Sequence, residues 1–347
     1  MFKKFEIDHF RNIRHCSLHL SDGINFIIGD NGAGKTSILE AINYIARAQS
    51  FRTKNISNII NHQSTYFQLL ATLETGVFLG MRRTPTEIIA RLNRLPIKKL
   101  STLAKNIPLF LITPNTHELI ERGPDYRRRF IDWGLFHVEP GYGKIIQEYR
   151  RVLKQRNAAL RINSSQSVAW DPGLIKCAGK VDVLRKGYIE KVTPIFIDIY
   201  GKLTGSSEIT LDYQSGWKCG SQFPEQLHEK KVIDNERGFT SVGPHRADVT
   251  IKVSGIAARE VLSRGQQKMA VIALVIAQAS LASENHIPLL LIDDLSSELD
   301  IEHQSKLFQL IKESHSQTII TSVNSALLEM VKEYSLFHVE HGVVSTK

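Results

Sequence analysis

The sequence predicts an α/β protein in which a mixed β-sheet carries an inserted lobe of helices, and three observations lead to this class. The compact apolar segment INFII runs directly into a glycine-rich loop, after which a helical pattern begins. Helical and strand-like segments alternate in the last quarter of the chain, which is typical of a largely parallel sheet with helical crossovers. From about Pro124 long amphipathic segments replace the strands, so these helices would form a separate lobe.

Residues 1–122 are expected to form the first half of the main domain. Alternating apolar and polar side chains before INFII predict a β-hairpin that leads into this buried strand. The segment TSILEAINYIARAQSF has apolar residues at helical spacing, whereas TYFQLLATLE and GVFLGMRRT predict further strands. These later strands would form an antiparallel layer beside the first hairpin.

Residues 123–228 are expected to form the helical lobe, and residues 229–347 the second half of the main domain. The lobe contains the amphipathic segments RRRFIDWGLFHVE, GKIIQEYRRVLKQRNAALRI and PGLIKCAGKVDVLRKGYIEKVTPIFIDIYGKL, and the Ser/Asn-rich linker INSSQSVAW joins the last two. Strand-like segments return at EITLDY and GFTSVGPHRADVTIKV. The tail then predicts helix, strand, helix, strand, helix and edge strand in RGQQKMAVIALVIAQASLAS, PLLLIDD, SKLFQLIKESH, TIITS, ALLEMVKEY and LFHVEHGVV.

Length and composition predict a soluble protein. At 347 residues the chain can bury a substantial core without disulfides. Its cysteines, Cys16, Cys177 and Cys219, lie far apart and outside any metal-binding spacing, which indicates a reducing compartment. The opening MFKKFEIDHF lacks the apolar core of a signal peptide, and the longest apolar stretch is broken by Gln278 and is too short for a bilayer. We therefore expect a cytoplasmic location.

The charge of the chain indicates an acidic partner. The net charge is +9 and the pI about 9.4, and nucleic acid is the commonest partner of such a protein. Residues 82–105, the first basic stretch, hold seven Lys or Arg against the single acid Glu87; residues 122–161, the second basic stretch, hold ten against four acids. Either stretch alone also fits a solvated surface. Together they favour a footprint for a phosphate backbone.

The glycine loop has the chemistry of a phosphate site. Residues 29–36, GDNGAGKT, fit G-x-x-x-x-G-K-[ST] between a predicted strand and a predicted helix, which is the context that this pattern requires. Backbone N–H groups would surround a β-phosphate, Lys35 would bridge the β- and γ-phosphates, and Thr36 would bind Mg²⁺. A turn with a chance lysine is the alternative. The candidate ATP-binding residues are Gly29, Asp30, Asn31, Gly32, Ala33, Gly34, Lys35, Thr36 and Ser37.

Two carboxylates complete this candidate site. PLLLIDD places Asp293 and Asp294 directly after a buried strand. Asp293 is the candidate magnesium ligand. Asp294 and Lys35 are the candidate catalytic residues, and Asp294 would face the attacking water. The alternative is that these acids only cap the next helix. Since 257 positions separate Thr36 from Asp293, an insertion would split one nucleotide site.

The segment LSRGQQK, residues 262–268, predicts a second anion site at the start of an apolar helix. Ser263, Gly265 and the first backbone N–H groups would bind a phosphate. One nucleotide already has its glycine loop, so we expect these residues to contact the γ-phosphate held by another subunit. The alternative is a capping box between Ser263 and Gln266.

The motifs together resemble ABC-type P-loop ATPase heads of the SMC group. FRNI, GDNGAGKTSILEAI, LSRGQQK and LLLIDDLSSELD carry this resemblance, and PDYRRRFIDWGLFH, KQRNAALR and GPHRAD narrow it to the RecF family. It covers nearly the whole chain and implies an ATPase head with a mixed β-sheet and a short inserted helical arm. It also implies that Ser263 and Gly265 act in trans in an ATP-dependent homodimer, and that SSELD, residues 296–300, is the D-loop at the dimer interface.

The resemblance also implies a function and its partners. Members of the RecF family bind single-stranded, gapped and junction DNA, hydrolyse ATP weakly and help RecO and RecR place RecA on single strands. The chain departs from the wider superfamily at Asp294, where glutamate is usual, which implies slow hydrolysis. TIITSVNSA lacks the switch histidine of transporter-type heads, and Ser322 or Asn324 would replace it. By resemblance, Arg11 and Asn12 are the candidates on the adenine side.

The leading interpretation is a DNA-binding, ATP-gated clamp or loader subunit. The alternative is an ABC-type ATPase subunit of another DNA-repair or transport assembly. A transporter ATPase needs a membrane partner, and its coupling surface would not be expected to carry two basic stretches. A nuclease-linked ATPase would need an appended acidic metal-binding domain, and a metabolic kinase would need a substrate pocket in place of a second phosphate site.

Overall fold

The computed structural model describes residues 1–162, 164–284, 286–295 and 299–346. Within this described part the chain divides into two compact units. The head unit comprises Met1–Thr116 and Ile272–Lys347, and the helical unit comprises His117–Val271. Both predicted halves of the nucleotide site therefore belong to the head unit.

Helices and strands are numbered in chain order. The first part of the head unit contains β1 (Phe2–Phe10), β2 (Ile13–His19), β3 (Ile24–Ile28), α1 (Lys35–Arg47), β4 (Phe67–Leu73), β5 (Phe78–Arg83), β6 (Ile88–Leu92), β7 (Leu95–Pro96), α2 (Ser101–Asn106) and β8 (Leu109–Ile112). The helical unit contains α3 (Glu118–Glu121), α4 (Pro124–Val138), α5 (Tyr142–Ile162), α6 (Asp171–Thr204), β9 (Ile209–Gln214), α7 (Phe223–Glu229), α8 (Lys231–Arg237), β10 (Asp248–Val253), β11 (Ile256–Ala257) and α9 (Ala258–Val261). Helix α10 (Arg264–Ala282) continues into the head unit, which ends with β12 (Leu289–Ile292), α11 (Ile301–Glu313), β13 (Gln317–Ser322), β14 (Tyr334–Glu340) and β15 (Val343–Thr346).

The compact units and the predicted domains, 1–122, 123–228 and 229–347, are different divisions of the chain. Strand β9 pairs antiparallel with β10, from Ile209 opposite Val253 to Gln214 opposite Asp248. These backbone hydrogen bonds tie the segment after residue 229 to the helical unit. The chain enters the head unit again only within α10, at Ile272.

An antiparallel sheet forms one layer of the head unit, as the sequence predicted. Its strand order is β2-β1-β4-β5-β6-β7. Alternate residues such as Phe5, Ile7 and Leu69 are fully buried on one face, and the residues between them are more exposed. This period of two follows from the pleat of a strand, and burial of each large apolar side chain stabilises the layer by about 1.5–3 kcal/mol.

A mixed sheet in the order β15-β14-β3-β13-β12-β8 forms the other layer of the head unit. Its neighbours pair in parallel except β14 and β15. Ile320 lies opposite Ile292 on one side and Phe26 on the other, so β3, β13 and β12 end at the same edge. The glycine loop after β3 and the acids after β12 therefore emerge together, with the end of β13 between them.

Two segments differ from their predicted secondary structure. ALLEMVKEY does not form an α-helix: Ser325–Met330 is a 3-10 helix, and β14 begins at Tyr334 because it pairs with Ile24 of β3. In GFTSVGPHRADVTIKV the strand begins only at Asp248, after a 3-10 turn whose preceding residue, Gly243, has φ 128°. Sheet pairing and a turn that only glycine adopts easily decide these boundaries.

A buried arginine holds α5, α6 and α8 together in the helical unit. Arg156 is 1% exposed. Its Nε donates to Asp171 Oδ1 at 2.7 Å, and its Nη1 donates to Asp234 Oδ2 and Thr240 Oγ1, both at 2.8 Å. Asn157 Oδ1 accepts a hydrogen bond from the backbone N–H of Thr240 at 2.8 Å. The segment KQRNAALR thus builds the fold of this unit, because a buried charge must be paired and hydrogen-bonded.

The segment GPHRAD lies at a second polar cluster of the helical unit. Arg185 forms a bidentate pair with Asp132 at 2.9 and 3.0 Å and also donates to the carbonyl oxygen of Pro244. His245 Nε2 donates to Thr240 O at 2.9 Å, and Tyr149 Oη lies 2.7 Å from His245 Nδ1. These bonds fix the turn that precedes β10.

None of the helices in the described part of the chain is long and apolar enough to span a membrane.

Candidate functional site

Three glycines shape the loop between β3 and α1. Gly32 and Gly34 have φ values of 81° and 123°, in the region that glycine adopts without steric cost. A Cβ atom on Gly29 would lie 2.1 Å from the carbonyl oxygen of Val339 in β14, so this position needs glycine because of packing. The loop therefore has a defined backbone that other residues would change.

The start of α1 leaves donors for an anion. The helix begins at Lys35, its N-cap is Gly34, and no side chain caps it. Its first N–H groups lack helical partners, and the helix dipole favours negative charge at this end. Asn12 supports the loop, since its Nδ2 donates to Ala33 O at 3.1 Å and its Oδ1 accepts from Ser37 Oγ at 3.0 Å.

Lys35 lies in the centre of the loop. Its Nζ donates to Gly29 O at 2.8 Å and to Asp30 O at 2.9 Å, and the residue is 7% exposed. Burial lowers the pKa of this lysine, and the carboxylates of Asp294, Asp293 and Asp30 oppose that effect. The ammonium group is thus positioned where phosphate oxygens would approach the loop.

Thr36 and Asp293 meet although they belong to distant motifs. Thr36 Oγ1 donates to Asp293 Oδ1 at 2.9 Å. Thr321, near the end of β13, donates to the same carboxylate oxygen at 2.8 Å. Burial raises the pKa of Asp293, and the hydrogen bonds from Thr321 and Thr36 oppose the increase. A hydroxyl and a carboxylate oxygen are the ligands that Mg²⁺ prefers, so these residues fit the predicted metal.

Asp294 adopts an unusual backbone conformation. Its φ is 52°, and its backbone N–H donates to Thr321 Oγ1 at 2.9 Å. Aspartate, asparagine and histidine enter this left-handed region several times more often than other residues except glycine. The observed conformation therefore suits an aspartate at position 294.

Sequence reasoning missed two residues of this site. Thr321 orients both acids, and its only signal was its place at the end of the strand TIITS. Arg52 lies close enough to lower the pKa of Asp293 and is 3.5 Å from Glu40 Oε2. Glu40 is fully buried and also forms a bidentate pair with Arg11 at 2.7 and 3.0 Å. No local pattern in the sequence marks Arg52.

Ser263 and Gly265 lie at the start of α10, within the helical unit. The backbone N–H of Ser263 donates to Gln266 Oε1 at 2.9 Å, and the N–H of Gln266 lies 3.4 Å from Ser263 Oγ, so the capping box that the sequence allowed is present. Both Ser263 and Gly265 are exposed. A Cβ atom on Gly265 would have no atom within 4 Å, so the fold of the chain does not require glycine here.

The remaining candidate residues, those of the predicted D-loop and Asn324, either form local contacts or lie outside the described residues. Ser296, Ser297 and Glu298 of the predicted D-loop are outside the described residues, whereas Asp300 caps α11 by accepting from the N–H of His303 at 2.9 Å. Asn324 Oδ1 caps the following 3-10 helix by accepting from the N–H of Ala326.

Comparison with known proteins agrees with this geometry. The model of the RecF/RecN/SMC N terminal domain family matches residues 1–345. A "DNA replication and repair protein RecF" of Shewanella frigidimarina is 37% identical over 99% of this chain and 98% of its own length. Relatives with the same description from Hydrogenovibrio crunogenus and Pseudomonas aeruginosa are 36% and 37% identical over 98% and 96% of this chain, and 97% and 95% of theirs.

Solved structures show the same fold. A structure of the recombination mediator protein RecF-ATP in the RecFOR pathway has a TM-score of 0.89 at 22% identity and covers 100% of this chain and 99% of its own. An SMC head bound to the C-winged helix domain of ScpA has a TM-score of 0.60 at 17% identity, covering 100% and 96%. The predicted fold class is confirmed: an ABC-type P-loop ATPase head with a mixed β-sheet and an inserted helical lobe. Within this class the chain belongs to the RecF family.

Proposed function

We propose that this chain is a cytoplasmic ATP-dependent DNA-binding protein of DNA replication and recombinational repair. It binds single-stranded and gapped DNA, pairs as an ATP-driven homodimer with weak hydrolysis, and helps RecO and RecR load RecA. Relatives described as DNA replication and repair proteins and a structural neighbour described as part of the RecFOR pathway support this assignment.

The observation that carries the proposal is the hydrogen bond between Thr36 and Asp293. It brings the glycine loop and the acidic strand end to one point, where their oxygens fit Mg²⁺. Thr36 and Asp293 would hold the ion, which when bound would neutralise phosphate charge. Lys35 would move its ammonium from the loop carbonyls to the phosphate oxygens. Asp294 orients the attacking water.

The start of α10 supports pairing of two copies. Glycine in a helix interior is less favourable than alanine by about 1 kcal/mol, and part of this difference applies in the first turn, yet the space around Gly265 is open. A residue that the fold does not need is explained if another group approaches the backbone closely. The γ-phosphate held by the glycine loop of a second copy carries the negative charge that the N-terminal end of a helix attracts.

An ABC-type ATPase subunit of another DNA-repair or transport assembly is the second candidate. The exposed cations of the first basic stretch favour DNA over a membrane partner, because they are available to phosphates.

Sedimentation with Mg²⁺-ATP, with and without gapped DNA, tests the proposal. We expect a monomer without nucleotide, a dimer with ATP, and comigration of the dimer with DNA that weakens as salt rises. Lys35→Ala is the control that should remain monomeric. A wild-type chain that stays monomeric with ATP, or a dimer that does not comigrate with gapped DNA at low salt, would contradict the proposal.

A further inference from the structure

The cations of the first basic stretch form no ion pairs within the described part of the chain. Each of its seven cations lies outside ion-pair distance of any carboxylate in the described part of the chain. Five of them, which we call the basic hairpin, lie on or directly after β5, β6 and β7 and are exposed: Arg82, Arg91, Arg94, Lys98 and Lys99. The only acid of the stretch, Glu87, is in the turn at the opposite end of β6 from Arg94.

Strand register places two of these arginines on one face. Gly80 lies opposite Arg91, and Arg82 lies opposite Ile89. Since opposite residues share a face and alternate residues return to it, Arg82 and Arg91 are diagonal neighbours, about 7–8 Å apart at their backbones. The Arg82 guanidinium lies 3.8 Å above the ring of Tyr66, and this contact favours one position of the exposed side chain by about 0.5–1 kcal/mol.

Arg94 occupies a position that suits glycine better. Asn93 and Arg94 form the two-residue turn between β6 and β7, and their φ values are 50° and 67°. Turns of this kind favour Asn-Gly, because the second residue is left-handed. An arginine in such a conformation is strained, and strain of this kind persists at functional sites. The strained residue presents a cation at the tip of the hairpin.

The second basic stretch differs, although it contains more cations. At least six of its ten form ion pairs with carboxylates of the helical unit: Arg122, Arg127, Arg128, Arg129, Arg150 and Arg156. Much of its charge is therefore neutralised within the fold, whereas none of the five cations of the basic hairpin is in an ion pair in the described part of the chain.

We propose that the basic hairpin binds the phosphate backbone of duplex DNA, without sequence preference, beside the gap at which the protein acts. This inference rests on the proposed DNA-binding function and assigns it a surface. Residues 79–105 contain no aromatic side chain, whereas single strands are usually bound by stacking of bases on aromatic rings. A duplex offers one phosphate charge per about 1.7 Å, which suits closely spaced cations on a β-ribbon.

Fluorescence anisotropy on a duplex and a single strand of equal length, with Mg²⁺-ATP, tests the inference. The triple variant Arg91→Gln, Lys98→Gln, Lys99→Gln should bind duplex about tenfold more weakly at physiological salt. Its slope of log affinity against log salt should be smaller by about 2–3, because each lost phosphate contact removes about 0.9. Arg94→Gly should weaken duplex binding while its melting temperature stays the same or rises, which separates the lost charge from damage to the fold.

Two controls decide between surfaces. Arg129→Gln, an exposed arginine paired with Asp125, should bind duplex like the wild type. The triple variant Arg151→Gln, Lys154→Gln, Arg161→Gln removes exposed cations of α5 and should change duplex affinity less than the hairpin variant.

The outcomes separate this inference from the function on which it rests. A wild-type chain that binds neither DNA would contradict the proposed function itself. Normal duplex binding by the hairpin variant, with loss in the α5 variant, would overturn only the assignment of the surface. A hairpin variant that loses single-strand binding but keeps duplex binding would overturn the choice of duplex.

Discussion

Thr36 and Asp293 are 257 positions apart in the sequence, and a hydrogen bond of 2.9 Å joins their side chains. The bond exists because β3 and β12 flank β13 and end at the same edge of the mixed sheet. Thr321 of β13 completes the arrangement, because its hydroxyl contacts the Asp293 carboxylate and the backbone N–H of Asp294. Three parallel strands thus position the residues that we assign to one ATP.

Lys35→Ala should weaken ATP binding by about 100-fold or more, because charged hydrogen bonds to phosphate are each worth about 1.5–3 kcal/mol. Equilibrium binding of a fluorescent ATP analogue measures the change. Lys105→Ala, an exposed lysine on α2, is the matched control and should bind normally. Tight binding by the Lys35 variant would refute the assignment of the loop.

Asp294→Asn should slow ATP hydrolysis by about 100-fold while ATP binding is kept, because the amide cannot accept the proton of the attacking water. Asparagine also tolerates a φ of 52°, so the backbone should be preserved. Steady-state phosphate release, together with sedimentation, should show a dimer that persists with ATP. Unchanged turnover would move the water-orienting role to another residue.

Gly265→Ala should stabilise the isolated chain by up to about 1 kcal/mol, because alanine favours a helix and the site has room. The same change should weaken the ATP-driven dimer, and Ser263→Arg should abolish it while monomers still bind ATP. Urea unfolding and sedimentation measure the two effects. Gly179→Ala, at an exposed position of α6 with similar open space, should stabilise without affecting pairing. Normal dimers of both α10 variants would contradict a role in trans.

Stability should fall as pH decreases from about 6.5 towards 4, because burial lowers the pKa of His245 to about 4. Between these pH values the imidazole of His245 is protonated in the unfolded chain and neutral in the folded chain, so acid favours unfolding. The loss from this group between pH 7 and pH 5 should be about 2 kcal/mol. Urea unfolding of His245→Gln should lack this component, whereas His228→Gln, at an exposed site in α7, should retain it. An identical pH profile for wild type and His245→Gln would contradict the prediction.

Gln278→Met should stabilise the fold by about 1–3 kcal/mol, the usual cost of a buried polar group without a partner. Gln278 is fully buried in α10, and neither atom of its amide has a hydrogen-bond partner in the described structure. Gln155→Met on the exposed face of α5 is the control and should change stability little. A less stable Gln278 variant would show that the amide is hydrogen-bonded in solution.

Much of the candidate site was predictable because its signals are local. GDNGAGKT requires a tight backbone at a helix start, and the structure has it in Gly32, Gly34 and the first turn of α1. PLLLIDD places acids directly after a buried strand, and β12 ends at Ile292. The roles assigned to these residues remain proposals. The segment LSRGQQK shows where local signals stop being decisive, since a capping box and an anion site have the same residues at the same spacing.

Other features could not be predicted, because they depend on which segments become neighbours. Arg52 has no motif, and its influence on Asp293 follows from the path of the chain after α1. ALLEMVKEY has helical spacing, but pairing of Tyr334 with Ile24 draws its end into the sheet. Local propensity differs by less than about 1 kcal/mol per residue, so tertiary hydrogen bonds override it.

The sequence by itself determined the chemistry available to this protein: a phosphate loop, two acids after an apolar strand, a polar helix start and seventeen cations against five acids in two stretches. Only the tertiary structure decided that Thr36 meets Asp293, that Thr321 lies between the acids, and that the smaller basic stretch keeps its charge exposed while most arginines of the larger one are paired. The physical reason is the distance along the sequence over which each kind of interaction acts. Periodicity and turn chemistry act over a few residues, whereas ion pairing and strand order depend on contacts between segments that the sequence leaves far apart.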